Sequence, residues 1–280
     1  MKKSVSFFTF GQDVDFKEAM EESKKAGYDG VEFVVTEKDG DINMNTAEKD
    51  IMDLKKYATD LGLEVSSVGA WNLWEYNLVS DDKNVAEHAK DIIKKQIDVG
   101  QMCGADTILV VPGYVGTSFA PGIVRYDVAY NRALEAISEL EPYAKSAKVS
   151  IGIENVWNKF LLSPLEMKSF LDEINSTYVG SYFDIGNIIY IGYPDQWIRI
   201  LGSHIKKLHF CDCRFGQCGL GSFVDLLEGD VDFFAVMDAV QDIGYDDWAV
   251  VEFLPNYKDF PYQSIINAKF SLDKILNINK

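Results

Sequence analysis

Positive charge is what this sequence has least of. It has 27 lysines and arginines against 44 aspartates and glutamates, a formal net charge of -17 and a sequence pI near 4.5. A surface that acidic repels phosphate backbones and excludes general nucleic-acid binding. No apolar run approaches the roughly 18–20 residues that span a bilayer, so no membrane segment is expected. The opening Met-Lys-Lys-Ser-Val-Ser-Phe-Phe-Thr-Phe is too short in its apolar part for a leader and runs into Gly11, Asp13 and Asp15, which makes it a first strand. Four cysteines (Cys103, Cys211, Cys213, Cys218) do not make a disulfide scaffold, and a reduced, cytoplasmic chain is expected. Cys211-Asp-Cys213 with Cys218 lacks the paired C-x-x-C knuckles of structural zinc, so these sulfurs read as buried, neutral thiols. No G-x-G-x-x-G follows any candidate strand, which argues against a doubly wound dinucleotide-binding sheet. With no Pro/Ser-rich linker and no low-complexity tract, residues 1–280 read as one domain.

What is present is ample core material, 47% hydrophobic residues with an ordinary 25% charged, arranged in a repeating order. Eight short β-rich runs are each followed by a segment of helical period: Val5–Phe8, Val31–Val35, Leu63–Ala70, Thr107–Val111, Val149–Glu154, Val179–Asp184, Ile205–Phe210 and Trp248–Phe253. Most are apolar almost throughout, the pattern of parallel strands buried on both faces. Met167, Phe170, Leu171 and Ile174 fall on one helix face, behind a Ser163-Pro164-Leu165-Glu166 capping box. Phe233, Val236, Met237 and Val240 repeat that spacing. Ala26-Gly27 and Ile243-Gly244 look like helix ends, each leading through a Gly-Tyr-Asp phrase into a strand. Eight βα units in 280 residues predict a single (β/α)8 TIM barrel, α/β in class, for which roughly 250 residues is typical.

In such a barrel the residues that close the strands face the active site. Strand five closes on Glu154, strand six on Asp184, strand seven near His209 and strand eight on Glu252. Each polar residue follows a strongly apolar run, where a charge needs a reason to be. Four on adjacent strands converge on one point, and three carboxylates with one imidazole suit a single divalent metal, Mn²⁺, Mg²⁺, Co²⁺ or Zn²⁺. His88 reads as a helix-surface residue and His204 as a residue of the barrel bottom.

Ile151-Gly-Ile-Glu154-Asn, Phe183-Asp184-Ile-Gly-Asn187, Leu208-His209-Phe-Cys-Asp212, Glu228-Gly-Asp-Val-Asp-Phe233 and Val251-Glu252 together resemble the xylose isomerase-like TIM-barrel superfamily over nearly the whole chain. Within it the sequence looks most like the sugar and sugar-phosphate isomerases and epimerases. The resemblance implies that Glu154, Asp184, His209 and Glu252 bind one divalent metal and that the two glutamates form a proton-transfer pair. The chemistry is consistent with that: moving a proton beside a carbonyl needs a Lewis acid to stabilise the enediolate and a carboxylate on each face. On this reading the protein is a metal-dependent isomerase of a ketose or ketose phosphate, 3-epimerisation being the first choice. The free-ketohexose epimerases of the family carry histidine and glutamate where this chain has Asn187 and Phe160, a departure that favours a phosphorylated substrate.

A phosphate would take donors from Arg214 and the glycine-rich stretch 216–222. Trp71 and Trp157 are candidates to wall a sugar pocket, with core packing as the alternative. Glu32, read as closing strand two, is a candidate to orient substrate or a metal ligand, and Asn187 and Asp212 to hold His209 or a sugar hydroxyl. Such barrels commonly form homo-oligomers. Inosose dehydration and hydroxypyruvate isomerisation use the same site and remain alternatives. So does a catalytically silent sugar-binding barrel, which the presence of both glutamates disfavours. Histidine-rich multi-metal DNA repair on this barrel is excluded by three histidines and the acidic charge.

Overall fold

The computed structural model describes residues 1–11, 14–118, 122–216, 220–252 and 257–278. Among them eight parallel strands close into a barrel: β1 Lys2–Ser6, β2 Gly30–Val35, β3 Glu64–Ala70, β4 Thr107–Val110, β5 Ser150–Glu154, β6 Val179–Asp184, β7 Ile205–Phe210 and β8 Trp248–Val251. Their order around the barrel is β1-β8-β7-β6-β5-β4-β3-β2, so each strand pairs with its neighbours in sequence and β1 closes the ring between β2 and β8. Each strand is followed by a helix: α1 Phe16–Ala26, α2 Glu48–Asp60, α3 Lys83–Cys103, α4 Tyr126–Ala147, α5 Pro164–Ile174, α6 Pro194–Leu201, α7 Phe233–Asp242 and α8 Gln263–Ile275. This is the (β/α)8 architecture that the alternation of runs predicts.

The strands match their predicted spans closely, with differences set by local hydrogen bonding. β1 starts earlier and stops at Ser6, whose hydroxyl accepts from Phe8 N at 3.2 Å and turns Phe7–Thr9 into a 3-10 helix. β8 ends at Val251, and Phe253 lies outside the described residues. The helix punctuation works as read. Gly27 caps α1 at φ +94°, and Ser163 caps α5, accepting from Glu166 N at 3.2 Å. The capping box is completed one residue early, since the Glu166 carboxylate accepts from Leu162 N at 2.8 Å. Inward residues of α5 and α7 (Met167, Phe170, Leu171, Phe233, Val236, Met237, Val240) are buried against the barrel.

The amino-terminal end of the barrel is sealed by Lys207. Its side chain is 1% exposed, and its Nζ lies 2.7 Å from Asp106 and pairs with Asp247. His204 sits on the same end, 2.9 Å from Asp172. The carboxyl ends of the strands, at the opposite mouth, are left to the polar residues that close them.

Candidate metal centre

Glu154 is the last residue of β5, Asp184 the last of β6, His209 the penultimate residue of β7, and Glu252 follows β8 directly. The four are buried, and each offers a ligand atom such that all four atoms lie within 4.8 Å of one another. His209 Nδ1 is 3.1 Å from Glu252 Oε2 and 3.8 Å from Asp184 Oδ2. The sequence-predicted cluster is therefore assembled as a cluster.

Its electrostatics call for a cation. Three carboxylates share a water-poor space, and an uncompensated buried charge costs several kcal/mol. Burial first, then repulsion from Glu252, pushes Glu154 well above the carboxylate range. Burial also pushes Glu252 up to about 7, its contact with His209 only partly offsetting this. Asp184 rises through burial as well. For His209 burial works against the charge, but Glu252 and Glu32 outweigh it and raise the imidazole well above its usual range. Protons thus stand in for positive charge, and a divalent ion would displace them.

The donor set fits such an ion. Nδ1 of His209 is buried and faces Glu252 Oε2 at 3.1 Å without making an aligned hydrogen bond to it. The other nitrogen, Nε2, lies 3.2 Å from Glu32 Oε1, which fixes the ring and leaves Nδ1 toward the carboxylates. Glu154, Asp184, His209 and Glu252 could therefore hold one divalent metal.

Glu32 does not close its strand: β2 runs on through Phe33–Val35. It is fully buried among donors, accepting from Tyr182 Oη at 2.6 Å and Ser67 Oγ at 2.6 Å. It therefore orients His209 from behind. Asp212 is also placed differently from the expectation of a contact with His209 or a sugar. Its carboxylate accepts from the backbone N–H of Cys213, Leu227, Gly229 and Val231 at 2.9–3.2 Å. A Cβ at Gly229 would collide with Asp212 Oδ1, so the residue is the hub of the loop after β7. Arg214 points to Glu228, 2.6 Å away, and is half exposed. Of the glycine-rich stretch beside it, 217–219 lie outside the described residues, Cys218 among them. Phe160 is core, packed with Tyr126 and Phe170.

A cavity of about 340 Å³ opens over the cluster. Glu154, Glu252 and Asn187 face it, whereas Asp184 and His209 are not on its wall. The remainder of its lining is apolar, with Trp71 and Trp157 joined by Trp74, Phe8, Val111 and Val156. Trp71 is 37% exposed and meets Phe8 edge to face at 4.6 Å; Trp157 leans on Phe223. Asn187 Nδ2 donates to Glu154 Oε1 at 3.4 Å, and its Oδ1 is buried without a partner. No lysine or arginine lines this cavity among the described residues.

Sequence reasoning missed Asn155, Tyr182 and Ser67. Asn155 Nδ2 donates to the Asp184 carbonyl at 2.7 Å and its Oδ1 accepts from Asp184 N, locking β5 to β6 at the cluster. The available signals were its place directly after Glu154 and, for Tyr182, its two-residue spacing from Asp184 on one strand face.

Comparison with known proteins gives a consistent result. Residues 20–265 match the model of a family described as xylose isomerase-like TIM barrel. The inosose dehydratase of Lacticaseibacillus casei is 25% identical, over 96% of this chain and 92% of its own. A Haemophilus influenzae protein named as a candidate L-ribulose-5-phosphate 3-epimerase is 22% identical, over 92% of this chain and 90% of its own. Among solved structures, the IOLI protein with a bound zinc atom superposes with a TM-score of 0.82 at 20% identity, covering 100% of this chain and 99% of that one.

Proposed function

The chain belongs to the xylose isomerase-like TIM barrel family and is an enzyme of the sugar isomerase and epimerase kind, and on that premise we propose that it 3-epimerises an unphosphorylated ketose. The observation that carries this reading is the division of the cluster: of its four members, the two glutamates alone line the cavity.

Epimerisation removes a proton from carbon and returns one to the opposite face, so it needs two groups that exchange the roles of base and acid. Glu154, at the end of β5, and Glu252, directly after β8, stand three strands apart and meet at the barrel mouth. One carboxylate takes the C3 proton while the other, protonated, delivers to the far face; the roles reverse with direction. Asn187 steadies Glu154 through Nδ2 and presents Oδ1, an acceptor without a partner, to a substrate hydroxyl. The tryptophan-rich wall packs the apolar face of the sugar. A divalent ion held by Glu154, Asp184, His209 and Glu252 would supply Lewis-acid polarisation of the carbonyl.

The cation-free lining favours a substrate without phosphate. A dianion beside an acidic cluster needs compensation, Arg214 is engaged with Glu228, and no lysine or arginine lines the cavity among the described residues. A second reading, dehydration of an inosose, is favoured by the Lacticaseibacillus relative. It begins with the same proton removal and ends with loss of hydroxide from the adjacent carbon.

The test is a matched panel of free ketoses, their phosphate esters and an inosose, incubated with the protein and Mn²⁺ and resolved by NMR. The proposal expects a C3 epimer, with kcat/KM for the free ketose at least about tenfold above its phosphate. Faster turnover of the phosphate would overturn the substrate class; water loss from inosose without epimer formation would move the assignment to the dehydratase.

A further inference from the structure

Asp184 is held from more sides than the proposed reaction uses. Its Oδ1 accepts from Asn187 N at 2.6 Å, and its own backbone is clamped by Asn155. A third group closes on it from β7. Cys211, two residues past His209 and fully buried, places Sγ 3.1 Å from Oδ1 and 3.2 Å from Oδ2 of Asp184. The space around this sulfur is tightly fitted. A Cβ at Gly186, in the turn after β6, would come within 2.6 Å of Cys211 Sγ and 3.1 Å of Cys213 Sγ.

Packing alone would be served by any small apolar side chain. The sulfur instead sits almost equidistant from both oxygens of one carboxylate, where an S–H has an acceptor at either position and a methyl group would remove the donor they share, Oδ1 keeping Asn187 N. The geometry points to Cys211 as a positioning residue for metal capture: its S–H, shared between the two oxygens of Asp184, sets the orientation in which that carboxylate meets the ion. This rests on the four-residue metal site. It assigns to the Cys-x-Cys sequence a task distinct from a thiolate site, since Cys211 supports a ligand and is not one itself. Partners that orient metal ligands typically contribute about 10–100-fold to affinity.

The experiment is calorimetric titration of the chelator-stripped, full-length protein with Mn²⁺. Two matched pairs separate hydrogen bonding from packing: Cys211→Ala against Cys211→Ser, and Cys211→Val against Cys211→Thr. The Ser and Thr variants retain a donor, and the second pair is matched in volume. Melting temperatures of the metal-free variants report packing separately. The expected result is a Kd weakened about tenfold in Ala and Val and within about threefold of wild type in Ser and Thr, with similar metal-free melting inside each pair. The assignment is overturned if Ala and Val bind like wild type, or if the hydroxyl variants lose as much as the apolar ones. Absence of Mn²⁺ binding by the wild type would overturn the metal site itself, a failure distinguishable from both.

Discussion

Glu32 and Glu252 occupy the same short phrase, Val-Glu-Phe, on the two strands that flank β1. They also share a neighbour: His209 presents Nε2 to Glu32 at 3.2 Å and Nδ1 to Glu252 at 3.1 Å. Register puts them level, since Ser6 pairs with Glu32 and Val5 with both Val31 and Val251. Yet their carboxyls shift in opposite directions. Burial alone would raise Glu32, but His209, Ser6 and Ser67 outweigh it and hold it below its usual range. Burial raises Glu252 to about 7, and Asp184 and Glu32 add repulsion to it. The difference lies in what surrounds each carboxylate among the described residues. β2 continues for three residues and encloses Glu32 among donors, whereas β8 stops and leaves Glu252 at the cavity. A carboxylate with full hydrogen bonding serves as a fixed anion behind the imidazole; one short of donors is suited to exchanging protons or holding a cation.

The largest expected break in this contrast is kinetic. Glu252→Gln should lower kcat by about 10³-fold, the contribution typical of a positioned acid or base, with the fold intact by circular dichroism. Glu32→Gln keeps an acceptor for His209 and should act through the metal, weakening Mn²⁺ affinity about tenfold while kcat at saturating metal falls much less. Steady-state kinetics across a Mn²⁺ series separates the two; equal losses of kcat would erase the distinction.

A smaller effect stems from the raised carboxyl of Glu252. A group whose folded value is raised contributes stability that is fully present below its unfolded value, 4.5, and is lost as pH rises through about 7. Metal-free Glu252→Gln should therefore gain on wild type between pH 4.5 and 8, with the difference in melting temperature moving by roughly 5 °C in its favour. Saturating Mn²⁺ should restore the wild type at pH 8, and binding should release protons, read as a buffer-dependent calorimetric heat. The smallest effect belongs to Arg214→Ala, which should change kcat/KM for a free ketose by less than about twofold, since its partner is an exposed glutamate.

How far the sequence exposes these roles depends on the range of the interactions. The barrel and the four converging residues were legible because both rest on local pattern: apolar runs that end on a charge, at the spacing of βα units. Glu32 was read as closing strand two although the predicted run Val31–Val35 already carries on past it, and pairing with β3 through Val35 opposite Ala70 keeps it mid-strand. Asp212 resembled a sugar ligand because it lies so soon after His209. Its true partners are backbone donors at 213 and at 227–231, and a loop that folds back over such a distance leaves no periodic trace. The Tyr182–Ser67–Glu32 network spans three strands in the same way. Arg214 carried the phosphate expectation together with the stretch 216–222, and its observed partner, Glu228, lies 14 residues on, beyond any local pattern.

The most direct test of proton transfer between Glu154 and Glu252 is deuterium wash-in from D2O, monitored by NMR on the free ketose that turns over best. The expected result is metal-dependent exchange at C3, abolished by chelator and reduced at least about a hundredfold in both Glu154→Gln and Glu252→Gln. Exchange confined to C1, or exchange at C3 that survives both substitutions, would contradict it.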